Sequence, residues 1–331
     1  MSQAANPACK QGRLGIAIGD PNGIGPEIAV KAALAAHTAR GGKPIIIGEH
    51  YIIDACCNVL GLADDARAAF EVFHAGALKP ADWEPGKISA AAGAATAAYV
   101  RAAIDLLNGG RIQAIGAAPH CEAAVNAAGI PFSGYGGLVA DYCGYPRDRA
   151  FLMLEARGLR VVHCTLHESV VSAARRITPE LVQQAATAAR ETLVLMGIEN
   201  PRLCVLGINP HAGEGGLFGT EDEAVTKPAV AGLRARGWHV DGPVGADLAL
   251  SERRHDAYVA MLHDQGHIAT KMLSPKGATA LVAGLPVLFA SVGHGAAFDI
   301  AGKGEADASA LIDTLDLLEY AAAHRRHPAR K

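Results

Sequence analysis

Short apolar runs, each handing over to a helical stretch, limit the fold of this chain more than any other feature. LGIAI (14–18) is followed by a helical pattern at 26–38, PIIIG (44–48) is a second such run, and IQAIGAAP (112–119) is a third that runs into a loop. Residues 90–108 read as a long alanine-rich helix stopped by Gly109 and Gly110. Strand followed by helix, several times over, argues for α/β architecture with a largely parallel sheet. The middle differs: AFLMLEARGLRVVHCTL (150–166) is two apolar runs around EARG, the pattern of a β-hairpin. Helices at about 169–176 and 179–197 follow, then the strand RLCVLGI (202–208). The last third returns to strands at AYVAML (257–262), ATALVA (278–283) and PVLFASV (286–292), and to a terminal helix from about 306 to 323.

At 331 residues, half of them hydrophobic, the chain is long enough for two lobes, the first and last parts sharing one of them. A net charge of −3 gives no basic footprint for nucleic acid or an anionic membrane. No apolar run approaches the ~20 residues that span a bilayer. The start, MSQAANPACKQGRLGIAIGD, lacks the pattern of a secretory signal, and the end, HRRHPARK, is a short basic tail. Seven cysteines without a CxxC spacing read as reduced thiols of a cytoplasmic protein.

Of fourteen histidines, three stand where a strand runs out: His167 after VVHCTL, His211 after LCVLGINP, and His263 after YVAML. Ligands of open α/β sheets collect beyond the carboxyl ends of strands. Three imidazoles converging there would form a three-nitrogen centre of catalytic-zinc type. HDQGH (263–267) also admits two ligands one helical turn apart, but Gly266 weakens a helix and the HExxH glutamate is absent. His263 is therefore taken as the ligand, His267 as a neighbour, and His163 as structural.

Two glycine loops frame the chain. GDPNGIGPEI (19–28) follows the first strand, with Pro26 suited to the first helical turn and Glu27 to the helix dipole. SVGHGAAFDIAGKGEAD (291–307) has small residues that let backbone approach a flat ligand, with His294 and Asp299 as polar contacts. A third loop, INPHAGEGGLFGTED (208–222), carries glycines at 213, 215 and 216, expected to bring backbone close to substrate or metal.

Together, GDPNGIGPEI and GHGAAFDIAGKGEAD resemble the isocitrate and isopropylmalate dehydrogenase superfamily. Within it, GINPHAGEGGLFGTED and YVAMLHDQGH resemble the 4-hydroxythreonine-4-phosphate dehydrogenase family, over about residues 13–320. The resemblance implies two α/β lobes with mostly parallel sheets around a central cleft. Residues 1–130 and 270–331 would form the nucleotide-side lobe, and 131–269 the metal, substrate and dimerisation lobe. It implies a homodimer whose site is shared between subunits, NAD, and a divalent metal, zinc first, with iron, magnesium or manganese as alternatives. The implied metal ligands are His167, His211 and His263. Gly293, His294, Gly295, Ala296 and Asp299 would contact the cofactor, and Tyr135, Asn209 and Lys271 the substrate.

Departures from the family pattern bear on the substrate. The family's His-Thr pair reads Tyr135-Gly136, its Asn falls near Ala280, its Arg is Phe289, and a lysine becomes Glu122, while Lys271 is kept. A phosphate dianion is usually held by Arg, Lys and backbone N–H groups, so these losses argue against a phosphate ester. FSGY, VDGPVGAD, YVAMLHDQGHI and SVGHGAAFDIAGKG resemble instead a branch of the family, the terephthalate cis-dihydrodiol dehydrogenases. The implied substrate is 1,2-dihydroxy-3,5-cyclohexadiene-1,4-dicarboxylate, and the products are protocatechuate, carbon dioxide and NADH. Lys271 and Asp247 are the acid–base candidates, with pairing to a substrate carboxylate as the other role for Lys271. Two rivals are a dehydrogenase of a phosphorylated hydroxy acid such as 4-phosphohydroxythreonine, using Lys227, Arg253 or Arg254 as cations, and a non-catalytic metal- or ligand-binding relative.

Overall fold

The structure, a computed structural model, describes residues 13–275 and 277–324; the readings of the first twelve residues and of all but the first residue of the basic tail lie outside them. Eleven strands form one sheet: β1 (Leu14–Ala17), β2 (Ile45–Gly48), β3 (Glu71–His74), β4 (Ala114–Ala117), β5 (Phe151–Ala156), β6 (Leu159–His163), β7 (Leu203–Leu206), β8 (Val240–Val244), β9 (Ala257–Ala260), β10 (Thr279–Ala283) and β11 (Phe289–Val292). Their order is β3-β2-β1-β4-β11-β10-β5-β6-β9-β7-β8. The pairings are parallel except β11–β10, β10–β5 and β5–β6. The expected hairpin is β5–β6. β1, β2, β4, β7 and β9 are buried throughout, which is why each is apolar at every position rather than at alternate ones.

The end of the chain returns to its beginning. β11 pairs with β4, and the terminal helix Ser309–His324 packs on the helix Gly25–Arg40. Glu27 does more than face a helix dipole. Its buried carboxylate accepts the Gly304 and Ala306 N–H groups at 3.0 and 2.8 Å and pairs with Lys31 at 2.7 Å.

The edge strands carry weak sequence signals: β3 is only four residues and partly exposed, and β8 reads VDGPV, with a proline that a sheet tolerates at its edge. Two expectations need correction. The helix Ala90–Asn108 does reach the length and apolarity of a membrane span. It is packed within the sheet's cover, with Tyr99, Val100, Ala103 and Ile104 fully buried, and Gly93 backed onto the Ala124 carbonyl. Finally, Gly266 does not break the helix His263–Leu273. A Cβ there would lie 2.2 Å from His163 Nε2 and 2.7 Å from Val161 Cγ1, so the glycine lets this helix settle onto β6.

Candidate active site

A cavity of about 610 Å³ opens against β5, β10 and β11, between the helices Tyr135–Cys143 and His263–Leu273. His167, His263, His267 and Lys271 line it from one set of elements, and His120, Tyr135, Gly293, His294 and Gly295 from another. The ends of β6, β7 and β9 are tied together beneath the first group. Thr165 Oγ1 donates to the Met261 carbonyl at 2.7 Å. Gln265 Oε1 accepts the Met261 and Leu262 N–H groups, and its Nε2 donates to the Gly207 carbonyl at 2.9 Å.

His167 and His263 come together, with ring centroids 5.7 Å apart. His263 and His267 stack at 3.6 Å, one helical turn apart. His163 lies behind them, 4.7 Å from His267, with Nδ1 on the Leu152 carbonyl and Nε2 buried without a hydrogen-bond partner among the described residues. Burial, reinforced by the neighbouring imidazoles, pushes His163 down to about 3 and His267 down to about 4, so both stay neutral at neutral pH.

His211 does not join this cluster within the chain. Its ring instead faces Phe218 at 5.9 Å. Among the described residues no three His, Cys, Asp or Glu side chains are arranged to hold a metal ion. One chain therefore supplies two of the three expected imidazoles to its cavity. Asp247, also absent from the cavity lining, sits beside the His211 backbone: a Cβ on Gly245 would lie 3.0 Å from Asp247 Oδ1 and 3.7 Å from His211 Cα. Asn209 Nδ2 donates to Glu221 at 2.8 Å, and Asn209 also lies outside the cavity lining.

The loop at 208–222 takes an unexpected conformation. His211, Ala212, Gly213, Glu214, Gly215 and Gly216 all have positive φ, forming a left-handed turn. The glycines answer that demand; a Cβ at Gly215 or Gly216 would meet no protein atom. Asp222, fully buried, anchors the start of the turn. Its carboxylate accepts the Ile208 and Asn209 N–H groups at 2.8 and 2.9 Å and the Thr226 hydroxyl at 2.7 Å.

The two glycine loops touch. The Ile24 N–H donates to the Ala296 carbonyl at 2.8 Å, and a Cβ on Gly23 would fall 2.7 Å from Ala296. Ala296 thus braces the first loop while Gly293, His294 and Gly295 face the cavity; Asp299 is exposed on the turn Phe298–Ile300. Tyr135 is buried and its hydroxyl donates to the Ala118 carbonyl at 2.8 Å, so it presents ring rather than hydroxyl to the cavity.

Sequence reasoning passed over Asp20, His120 and Asp222. Asp20 and His120 follow β1 and β4, and the strand-end rule that selected other histidines applies equally to His120. Asp222 left no signal, because its role depends on backbone thirteen and fourteen residues away. Lys227, Arg253 and Arg254, the cations offered for a phosphate, line no part of the cavity; Lys227 pairs with Glu223 and Arg254 with Glu252.

The sheet and its cavity define an α/β protein with a cleft, and the relatives that share it over nearly the whole chain are dehydrogenases, that is, oxidoreductases. The family described as pyridoxal phosphate biosynthetic protein PdxA matches residues 41–318, and the chain belongs to that family. It is 47% identical to a 1,2-dihydroxy-3,5-cyclohexadiene-1,4-dicarboxylate dehydrogenase of Comamonas sp, over 92% of this chain and 96% of the relative. A terephthalate 1,2-cis-dihydrodiol dehydrogenase structure from Burkholderia xenovorans LB400 is 42% identical with a TM-score of 0.69, covering 93% and 98% of the two chains. A 4-hydroxythreonine-4-phosphate dehydrogenase structure from Burkholderia phymatum is 36% identical with a TM-score of 0.83, covering 96% and 100%.

Proposed function

We propose that the protein oxidises and decarboxylates a cis-dihydrodiol carboxylate, 1,2-dihydroxy-3,5-cyclohexadiene-1,4-dicarboxylate, to protocatechuate and carbon dioxide with NAD as hydride acceptor. One observation carries this choice over a phosphate ester. Of the two Lys or Arg side chains that line the cavity, Arg147 is occupied by Asp141, with Nε 3.0 Å from each carboxylate oxygen. Lys271 alone has no ion-pair partner among the described residues. One unpaired cation suits a carboxylate and is poor provision for a desolvated phosphate dianion. The 47% identity to the Comamonas enzyme supports the same reading.

In this reading Lys271 pairs with a substrate carboxylate or takes the proton of the secondary hydroxyl as hydride leaves its carbon for NAD. The ketone so formed is β to the carboxylate. The C–C bond to carbon dioxide then breaks, its electron pair enters the ring, and the enolate oxygen takes up a proton. The product ring is aromatic, which drives the step. Gly293, His294, Gly295, Ala296 and Asp299 would hold the dinucleotide, which would accept the hydride.

The donor set fits a divalent cation in part: His167 and His263 bring two imidazoles together, and His211 is absent from the cluster. We infer that a second copy of the chain completes the centre with its own His211, and brings Asp247 with it. The lobes 1–130 with 270–331, and 131–269, would then meet along the cavity. A bound cation, zinc first, with iron, magnesium or manganese as alternatives, would lower the pKa of the substrate hydroxyl. A cytoplasmic setting accords with the six described cysteines, all free.

The test is NADH formation from the dihydrodiol dicarboxylate, with 4-phosphohydroxythreonine as the competing substrate. His211→Ala is expected to abolish turnover and weaken metal binding with the fold intact. Turnover of the phosphorylated substrate alone, or full activity of metal-stripped His211→Ala, would overturn the reading.

A further inference from the structure

Beyond β4 the cavity wall is made of rings. His120 stands edge-on to Phe132 and Tyr135, with centroids 4.8 and 4.6 Å away and interplanar angles of 77° and 74°. Phe289, fully buried, backs Tyr135 at 5.3 Å. His120 and Tyr135 are the two members of this group that reach the cavity. The tyrosine hydroxyl is committed to Ala118, as described above. Among the described residues the His120 ring nitrogens make no hydrogen bond; the Glu122 carboxylate lies 4.0 Å from Nε2 and also on the cavity wall.

We infer that His120 and Tyr135, supported by Phe132 and Phe289, form a ring-recognition face that packs against a flat six-membered carbon ring, making His120 a specificity-determining residue. Aromatic rings prefer the edge-to-face and offset arrangements that this wall already displays. Burial pushes His120 down to about 4, so the imidazole is uncharged in the working pH range and adds no cation to the wall. The wall thus selects by shape rather than by charge. The inference rests on the ring-substrate reading above, but concerns binding and is tested by binding.

The experiment titrates the full-length protein by calorimetry with two dianions of equal charge: 1,4-benzenedicarboxylate, which is flat, and hexanedioate, which is a flexible chain. The wild type is expected to prefer the ring. His120→Ala should lower that preference about tenfold, the scale of one aromatic contact plus its buried area, and His120→Phe should restore it to within about threefold. A purely structural role would weaken both dianions alike in His120→Ala, and that result, or an unchanged ratio, overturns the inference. So does a wild type that shows no preference for the ring. A His120-dependent ring preference without NADH formation from the dihydrodiol supports the ring face and sinks only the proposed reaction.

Discussion

Asp20 holds one carboxylate oxygen on the Asn22 N–H at 2.9 Å, and its other oxygen is buried without a partner among the described residues. Burial pushes its pKa up to about 6 against that hydrogen bond. The folded state therefore binds the proton more tightly than the unfolded chain does. The resulting stability is fully present below about pH 4 and is lost as pH rises through about 6. Asp20→Asn is expected to flatten this profile. Between pH 4 and 7 the wild type should lose on the order of 3 kcal/mol more than the variant, at about 1.4 kcal/mol per pKa unit. Parallel urea-unfolding profiles at pH 4, 5.5 and 7 would contradict it. Gly266 offers a test with opposing terms. Alanine favours a helix by about 1 kcal/mol over glycine, yet its Cβ would collide with His163 and Val161. Overpacking of this sort costs about 1–3 kcal/mol, so Gly266→Ala should lower the unfolding midpoint and disturb the His263–His267 stack.

At the scale of elements, the left-handed turn from His211 to Gly216 is a costly piece of backbone. Left-handed conformation costs L-residues roughly 1–2 kcal/mol each, and His211, Ala212 and Glu214 all adopt it. Such strain persists only where the surroundings over-determine it, and the buried Asp222 carboxylate, bound to Ile208 and Asn209, is the clamp. Gly216→Ala should cost about 1–2 kcal/mol although its Cβ meets no atom. Gly42→Ala, equally free of neighbours and without positive φ, should be near neutral. Equal midpoints for the two variants in thermal melts would remove conformation as the reason for the glycines. Asp222→Ala should cost about 1–3 kcal/mol, since it leaves the part-buried Ile208 and Asn209 N–H groups without their acceptor, and should depress turnover more than stability.

At the scale of the whole molecule, the incomplete imidazole set predicts complementation between copies. His211→Ala and His263→Ala should each be inactive. Unfolded together and refolded as mixed dimers, they should recover about a quarter of wild-type turnover, because half the dimers are mixed and each of those holds one intact site. No recovery in verified mixed dimers would place all three histidines on one chain. Much of this architecture was legible in the residues. Apolar runs alternating with helices announced a largely parallel sheet, and two apolar runs around EARG announced the antiparallel hairpin β5–β6. The strand-end rule found His167 and His263, because a parallel strand delivers whatever follows it to one edge of the sheet. It could not tell that His211 is turned away, since that depends on six residues of left-handed backbone held by a carboxylate later in the chain. Nor could it see that His120, Phe132, Tyr135 and Phe289 share one wall. Local composition decided the strands, the helices and the reach of each loop. Only the packing of distant segments, which closes the sheet order and buries Asp20, Glu27 and Asp222 against particular N–H groups, decided which side chains face the same cavity.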